Sequence, residues 1–240
     1  MAVKSHLRVT RHFAAGLEYL LIEPRDSPPD AELPMIVALH GRAGQPEPPR
    51  TAYLDLDQPV RVIMPRGPLR QGQGYAWMPV SAHHGDSEAL SGPLRARVAE
   101  LAEAMLEWRE RHPTRGLPIV TGFSQGGILT AALALTHPES MSRAFVMAGW
   151  IPSSMEPTTF DRYALHVPIH ALHGADDTVI GAERTRQQLV RMRTLGFPVL
   201  YESIPYTAHE HSPAMVDRLR ELVRSALRDM PETSTASGLS

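Results

Sequence analysis

Short apolar runs recur along the chain, several of them ending at glycine or proline: Met35 to Leu39, Val60 to Met64, Ile119 to Thr121, Ala144 to Met147, Ile169 to Leu172 and Val199 to Ile204. Each has the length of a strand. The first five lack polar alternation, which is the pattern of strands covered on both faces. Longer segments between several of them carry helical periodicity. Leu94, Val98, Leu101, Met105 and Trp108 form one stripe at three- and four-residue spacing, and Ile128 to Leu135 is nearly all apolar. Strand–helix alternation of this kind predicts an α/β fold, with a mostly parallel central sheet and helices on both faces.

The two ends extend this picture. Leu17 to Ile22 reads as a strand paired antiparallel with Leu7 to Thr10, an N-terminal hairpin that the Pro28-Pro29 linker ends. Pro213 to Met230 reads as a helix with Met215, Leu219, Leu222 and Val223 on one face. The polar residues 231–240 are expected to form a disordered tail. At 240 residues and 42% apolar content, residues 1–230 suffice for one domain with one sizeable core.

Charge and composition narrow the function. Acidic residues number 26 and basic residues 24, for a formal charge of -2, and the basic residues are spread along the chain. No nucleic-acid partner is expected from that distribution. The N-terminus lacks the apolar core of a secretory signal, and no apolar run approaches the ~20 residues that span a bilayer. A cytoplasmic protein without stable membrane insertion is the expectation. With no cysteine in the sequence, disulfides, thiolate metal sites and a cysteine nucleophile are excluded.

The chemistry enters at Gly122-Phe-Ser124-Gln-Gly126, which follows one apolar run and precedes the apolar helix. A serine on a tight strand-to-helix bend has its hydroxyl pushed above the sheet, and its neighbours must be small because strand and helix nearly touch. The same bend sets the Gln125 amide at a helix start, where an N–H and the positive dipole end can receive a developing oxyanion. With 16 serines and 17 glycines in the chain, composition alone predicts about 0.08 matches to this pattern. An incidental serine in a glycine-rich turn is the bland alternative.

A serine nucleophile needs a histidine base and a carboxylate to orient it, and the α/β-hydrolase order places both after the serine, acid first. His209 and His211 lie in the loop after the last expected strand, and His209 is the preferred base. Asp176 and Asp177 lie just past the strand Ile169 to Leu172, and neighbouring extended residues point in opposite directions, so one of them faces the histidine. His173, at the end of that strand, reads as structural. His83-His84-x-Asp86 and His209-x-His211 carry metal-binding residue types, but no third ligand set is spaced convincingly, and no metal or cofactor is expected.

Leu39-His-Gly-Arg-Ala-Gly44, Gly122-Phe-Ser-Gln-Gly126, Ala148-Gly-Trp-Ile-Pro152, His173-Gly-Ala-Asp-Asp177 and His209-Glu-His-Ser-Pro213 occur in one order. Together they resemble the phospholipase/carboxylesterase family, which includes bacterial carboxylesterases and acyl-protein thioesterases, over about Met35 to Leu222. The resemblance implies the α/β-hydrolase fold, Asp177 rather than Asp176 as the acid, His209 as the base, and the Arg42 backbone N–H as the second oxyanion donor beside that of Gln125. The sequence departs from the family pattern at Ala43, where glycine is frequent, and at Pro205-Tyr-Thr-Ala-His209, which replaces a glycine-rich approach to the histidine.

The insertion between Pro65 and Pro93 is polar and glycine-rich, unlike an apolar lid. Short- to medium-chain carboxylic esters are therefore the expected substrates, cleaved by a monomer or homodimer. Tyr75, Trp77, Phe123 and Trp150 stand as candidate pocket walls, each equally readable as core packing. Acyl-protein thioesterase or lysophospholipase activity is the alternative within enzymes. A non-catalytic binding module on the same fold is the alternative outside them.

Overall fold

The structure, a computed structural model, describes residues 6–46, 52–53, 56–79 and 88–231. His83, His84, Asp86 and nearly all of the expected tail, residues 232–240, lie outside the described residues.

Strands β1 (Leu7–Ala14) and β2 (Leu17–Pro24) form the expected hairpin, closed by Ala15 and Gly16, both at positive φ. β3 (Met35–Leu39) and β4 (Arg61–Pro65) follow, then a small antiparallel pair, β5 (Leu69–Gln71) and β6 (Gly74–Ala76). After helix α1 (Glu88–Arg111) come β7 (Ile119–Phe123), α2 (Gln125–Thr136), β8 (Arg143–Met147) and β9 (Ile169–Gly174). Helix α3 (Ala182–Leu195), β10 (Val199–Ile204) and α4 (Pro213–Arg228) complete the chain.

Eight strands form one sheet in the order β1-β2-β4-β3-β7-β8-β9-β10. β2 pairs antiparallel with β4, and from β4 through β10 every pairing is parallel. Successive residues of the central strands serve opposite cores, because side chains alternate across a strand. Met35, Val37 and Leu39 pack with Leu94 and Val98 of α1, Leu129 of α2 and Met192 of α3. Ile36 and Ala38 belong to the other side, where Met215, Leu219 and Val223 of α4 cover the sheet. Both faces of β3 are thus buried, which is why its sequence is an unbroken apolar run.

Two expected boundaries are corrected, and one element is new. The run read from Val60 to Met64 is paired from Arg61 to Pro65. Arg61 is tolerated in the sheet although 1% exposed, because its guanidinium donates to Glu23 (2.9 Å) and to the carbonyls of Pro113 (2.5 Å) and Pro29 (3.4 Å). The insertion after Pro65 contains the β5–β6 hairpin, turning at Gly72 with φ 59°. Helix α4 stops at Arg228, two residues short of the expected Met230.

Candidate active site

All parallel strands run in one direction, so their C-terminal ends open on one edge of the sheet, where α/β folds gather their reactive groups. Among the segments that leave that edge are 40–44 after β3, residue 124 after β7, 175–181 after β9 and 205–212 after β10.

Ser124 occupies the bend between β7 and α2 with φ 53° and ψ -116°. A left-handed φ is unfavourable for a residue with a Cβ, so the surroundings must hold it. Its N–H donates to Met147 O at 2.9 Å and its carbonyl accepts Ile128 N–H at 3.0 Å. The two flanking glycines are steric requirements. A Cβ on Gly122 would run into the Gly126 carbonyl, and one on Gly126 into the carbonyls of Leu39 and His40.

The Ser124 Oγ lies 2.9 Å from His209 Nε2, and His209 Nδ1 lies 2.8 Å from Asp177 Oδ2. A carboxylate only accepts, so Nδ1 carries the proton and Nε2 is left as acceptor for the serine hydroxyl. Asp177 Oδ1 accepts the backbone N–H groups of Val179 and Ile180, both at 2.9 Å. Burial alone would raise the Asp177 carboxyl, but the hydrogen bonds from His209, Ile180 and Val179 outweigh it and hold the group below the ordinary carboxylate range. The arrangement can pass a proton from a hydroxyl to an imidazole that stays aligned while it becomes charged.

The neighbouring alternatives fall elsewhere. Asp176 is exposed, with its backbone N–H donating to Thr207 O at 2.9 Å. His211 lies against Phe123, ring centroids 4.1 Å apart, while Phe123 also touches the His209 ring at 5.0 Å. The histidine loop is braced without glycine: Tyr206 takes φ 53°, and Thr207 Oγ1 and Ser212 Oγ are 2.8 Å apart. Ser212 also caps α4, accepting Met215 N–H at 3.2 Å.

Arg42 lies in a turn closed by Gly44 N–H to Gly41 O at 3.0 Å, in which Ala43 adopts φ 59°. That left-handed value is the reason glycine would suit position 43. Gly41 adjoins the serine: a Cβ built on it would sit 3.4 Å from Ser124 Cβ. The Arg42 amide therefore follows the residue that packs on the serine, and Gln125 opens α2 on the other side.

Of the aromatic candidates, Phe123 is part-exposed beside His209. Tyr75 is half-buried between the guanidinium groups of Arg66 and Arg70, 4.6 and 5.1 Å from its ring centre. Trp77 and Trp150 are both 1% exposed. Trp150 sits in the core with Arg184 stacked 3.9 Å from its ring centre, so it offers a ligand almost no surface.

Two further histidines brace these loops. His173, read as structural, is fully buried and donates from Nε2 to Ile180 O at 2.8 Å, with Asp177 Oδ2 3.2 Å from the same nitrogen. Burial lowers its pKa, which keeps it neutral beside the acid. The spacing of four between His173 and Asp177 was the available signal. His40 is the second: Nδ1 donates to Gly41 O at 2.7 Å and Nε2 accepts Gly67 N–H at 3.0 Å, joining the loop after β3 to the segment that enters β5.

A sequence profile of the phospholipase/carboxylesterase family matches residues 56–227. The chain belongs to that family. Carboxylesterase SOBER1 of Arabidopsis thaliana is 27% identical over 115 residues, covering 48% of this chain and 50% of that protein. Acyl-protein thioesterase 1 homolog 2 of Dictyostelium discoideum is 29% identical over 135 residues, 52% of this chain and 59% of its own. The chain thus spans about half the length of the curated relatives it matches. The crystal structure of a carboxylesterase from Mesorhizobium loti superposes with a TM-score of 0.69 at 18% identity, covering 90% of this chain and 98% of that one. That superposition establishes the α/β-hydrolase fold for this member of the family. Among the described residues no helix is long and apolar enough to cross a membrane.

Proposed function

We propose that this phospholipase/carboxylesterase family member is a serine hydrolase that cleaves short- to medium-chain carboxylic esters through an acyl-enzyme. The observation that carries the reading is the unbroken chain from Ser124 Oγ to His209 (2.9 Å) to Asp177 (2.8 Å) at the C-terminal edge of the sheet. In this mechanism Ser124 Oγ attacks the ester carbonyl carbon while His209 Nε2 takes the hydroxyl proton. The carbonyl oxygen becomes an oxyanion, received by the backbone N–H groups of Gln125 and Arg42. Collapse breaks the bond to the alcohol oxygen, which leaves with the proton from His209. Water then repeats the sequence on the acyl-serine, releasing the acid and restoring the serine.

Residues 1–230 act in this reading as one domain, and the substrate is a small-molecule ester. Relatives named acyl-protein thioesterases favour a second reading, in which a thioester carbonyl meets the same groups. Hydrolysis of p-nitrophenyl acetate, butyrate and octanoate beside an acyl thioester, compared by kcat/KM, ranks the two. Ser124→Ala is expected to abolish turnover and labelling by a fluorophosphonate with the fold intact, a loss of about 10⁶ in kcat. Comparable turnover in that variant would overturn the proposal.

A further inference from the structure

Trp77 links the two loops that carry the oxyanion donors. Its indole Nε1–H donates to His40 O at 2.8 Å, the carbonyl that precedes Gly41 and Arg42. Its backbone N–H donates to Gln125 Oε1 at 2.7 Å, and Gln125 Nε2 returns a hydrogen bond to Met78 O at 3.0 Å. The Gln125 side chain thus both accepts from and donates to the 77–78 backbone. The Trp77 carbonyl accepts Arg97 Nε–H at 3.3 Å, and its ring lies 5.0 Å from that of His40. Trp77 and Gln125 are each 1% exposed, so these bonds are made without competition from water.

The sheet itself aligns β3 with β7 only as far as the pair Leu39 and Gly122. Arg42 and Gln125 both lie beyond that pair, on separate loops. An oxyanion hole acts only if its donors are already aimed at one oxygen position, so something past the sheet must fix their separation. We propose that Trp77 is a positioning residue for the oxyanion hole, its indole holding the loop of Arg42 and its backbone holding, through the Gln125 side chain, the first residue of α2. This rests on the ester-hydrolysis reading above.

Trp77→Phe removes the indole N–H and keeps an aromatic ring. Its kcat on p-nitrophenyl butyrate is expected to fall about 10-fold or more, with KM within about twofold and the midpoint of the acid limb unmoved. Replacing Trp77 by benzothienylalanine, which keeps the bicyclic shape and deletes only the donor, should reproduce the loss if Trp77→Phe folds poorly. Trp108→Phe is the control, since that indole is equally buried and its N–H has no acceptor among the described residues. It should lower stability and leave kcat unchanged. Gln125→Met opens the same circuit at another link, so the double variant with Trp77→Phe should lose less than the product of the two single losses.

A benzothienylalanine protein with wild-type kcat, a loss expressed only in KM, an equal fall in Trp108→Phe, or fully multiplicative losses would each overturn the assignment while leaving the nucleophile reading standing. A wild-type protein no faster than Ser124→Ala would instead remove the ester-hydrolysis reading, and this inference with it.

Discussion

Asp177→Asn tests the geometry of the site most sharply, because the substitution replaces one carboxylate oxygen by an NH2 group and the structure dictates which way that group points. Oδ1 of Asp177 accepts two backbone N–H groups, from Val179 and Ile180, each at 2.9 Å. An asparagine turned with its NH2 toward them would leave two backbone donors, that of Ile180 buried and that of Val179 partly so, facing a donor, at about 1–3 kcal/mol for a buried one. The amide oxygen is therefore held on that side, and the NH2 faces His209 Nδ1. The imidazole must then offer Nδ1 as an acceptor, which moves its proton to Nε2, opposite Ser124. A protonated Nε2 cannot take the serine proton, and the expected fall in kcat is about 10⁴, close to 5.5 kcal/mol of transition-state stabilisation. Steady-state hydrolysis of p-nitrophenyl butyrate at pH 8 measures the loss, and ¹⁵N NMR of histidine-labelled protein reads the tautomer directly. A variant that keeps more than about a tenth of wild-type kcat, or an Nδ1 still protonated, would refute the reasoning. Asp176→Asn, on an exposed side chain, should stay within about twofold.

His209→Ala should be nearly as damaging as loss of the serine, whereas His211→Ala, which removes a ring tilted against Phe123, should lower kcat by no more than about 10-fold; the opposite order in kcat would move the base to His211. His112 gives a pH prediction for stability. Its pKa is pushed down to about 4 by burial, by the charges of His12, Arg61 and Arg111, and against the pull of Glu23, while its Nε2 accepts the Tyr19 hydroxyl at 2.9 Å. Because the folded value lies below the ordinary 6.5, the unfolded chain binds the extra proton first. Stability is thus fully present above pH 6.5 and falls as pH drops toward 4. Urea midpoints at pH 7.5 and 5 should differ more for the wild type than for His112→Gln, and equal differences would count against the burial argument.

What could be read from the sequence followed from how completely a residue's surroundings are apolar. Met35–Leu39 is covered by helices on both sides and contains no polar residue, and Ile119–Phe123 is interrupted only by the buried Thr121, whose hydroxyl is hydrogen-bonded to Tyr53, so both emerged as strands. Helix α3 escaped because its inward stripe is half polar. Thr185 and Gln188 face the interior beside Leu189 and Met192, with Thr185 Oγ1 donating to Gly149 O (2.7 Å) and Gln188 Nε2 to Ile151 O (2.6 Å). A period carried by hydrogen bonds to carbonyls is invisible to an apolar count. Ser124 stood out because the bend constrains its neighbours to glycine, a local requirement written into adjacent positions. The choice of Asp177 over Asp176 is legible only through the family resemblance, whereas the attachment of Trp77 to His40 depends on where separate segments meet, and adjacent letters of sequence carry no record of that.

The positive φ at Ser124 also restricts which side chains this bend accepts. A side chain forked at its β-carbon crowds the preceding carbonyl when the backbone turns to that hand, so threonine, the nearest chemical relative, is the replacement the bend tolerates least. Cysteine has the unbranched shape that fits. The hand of a single residue therefore decides, before any reactivity is compared, which atoms evolution can try at the head of α2.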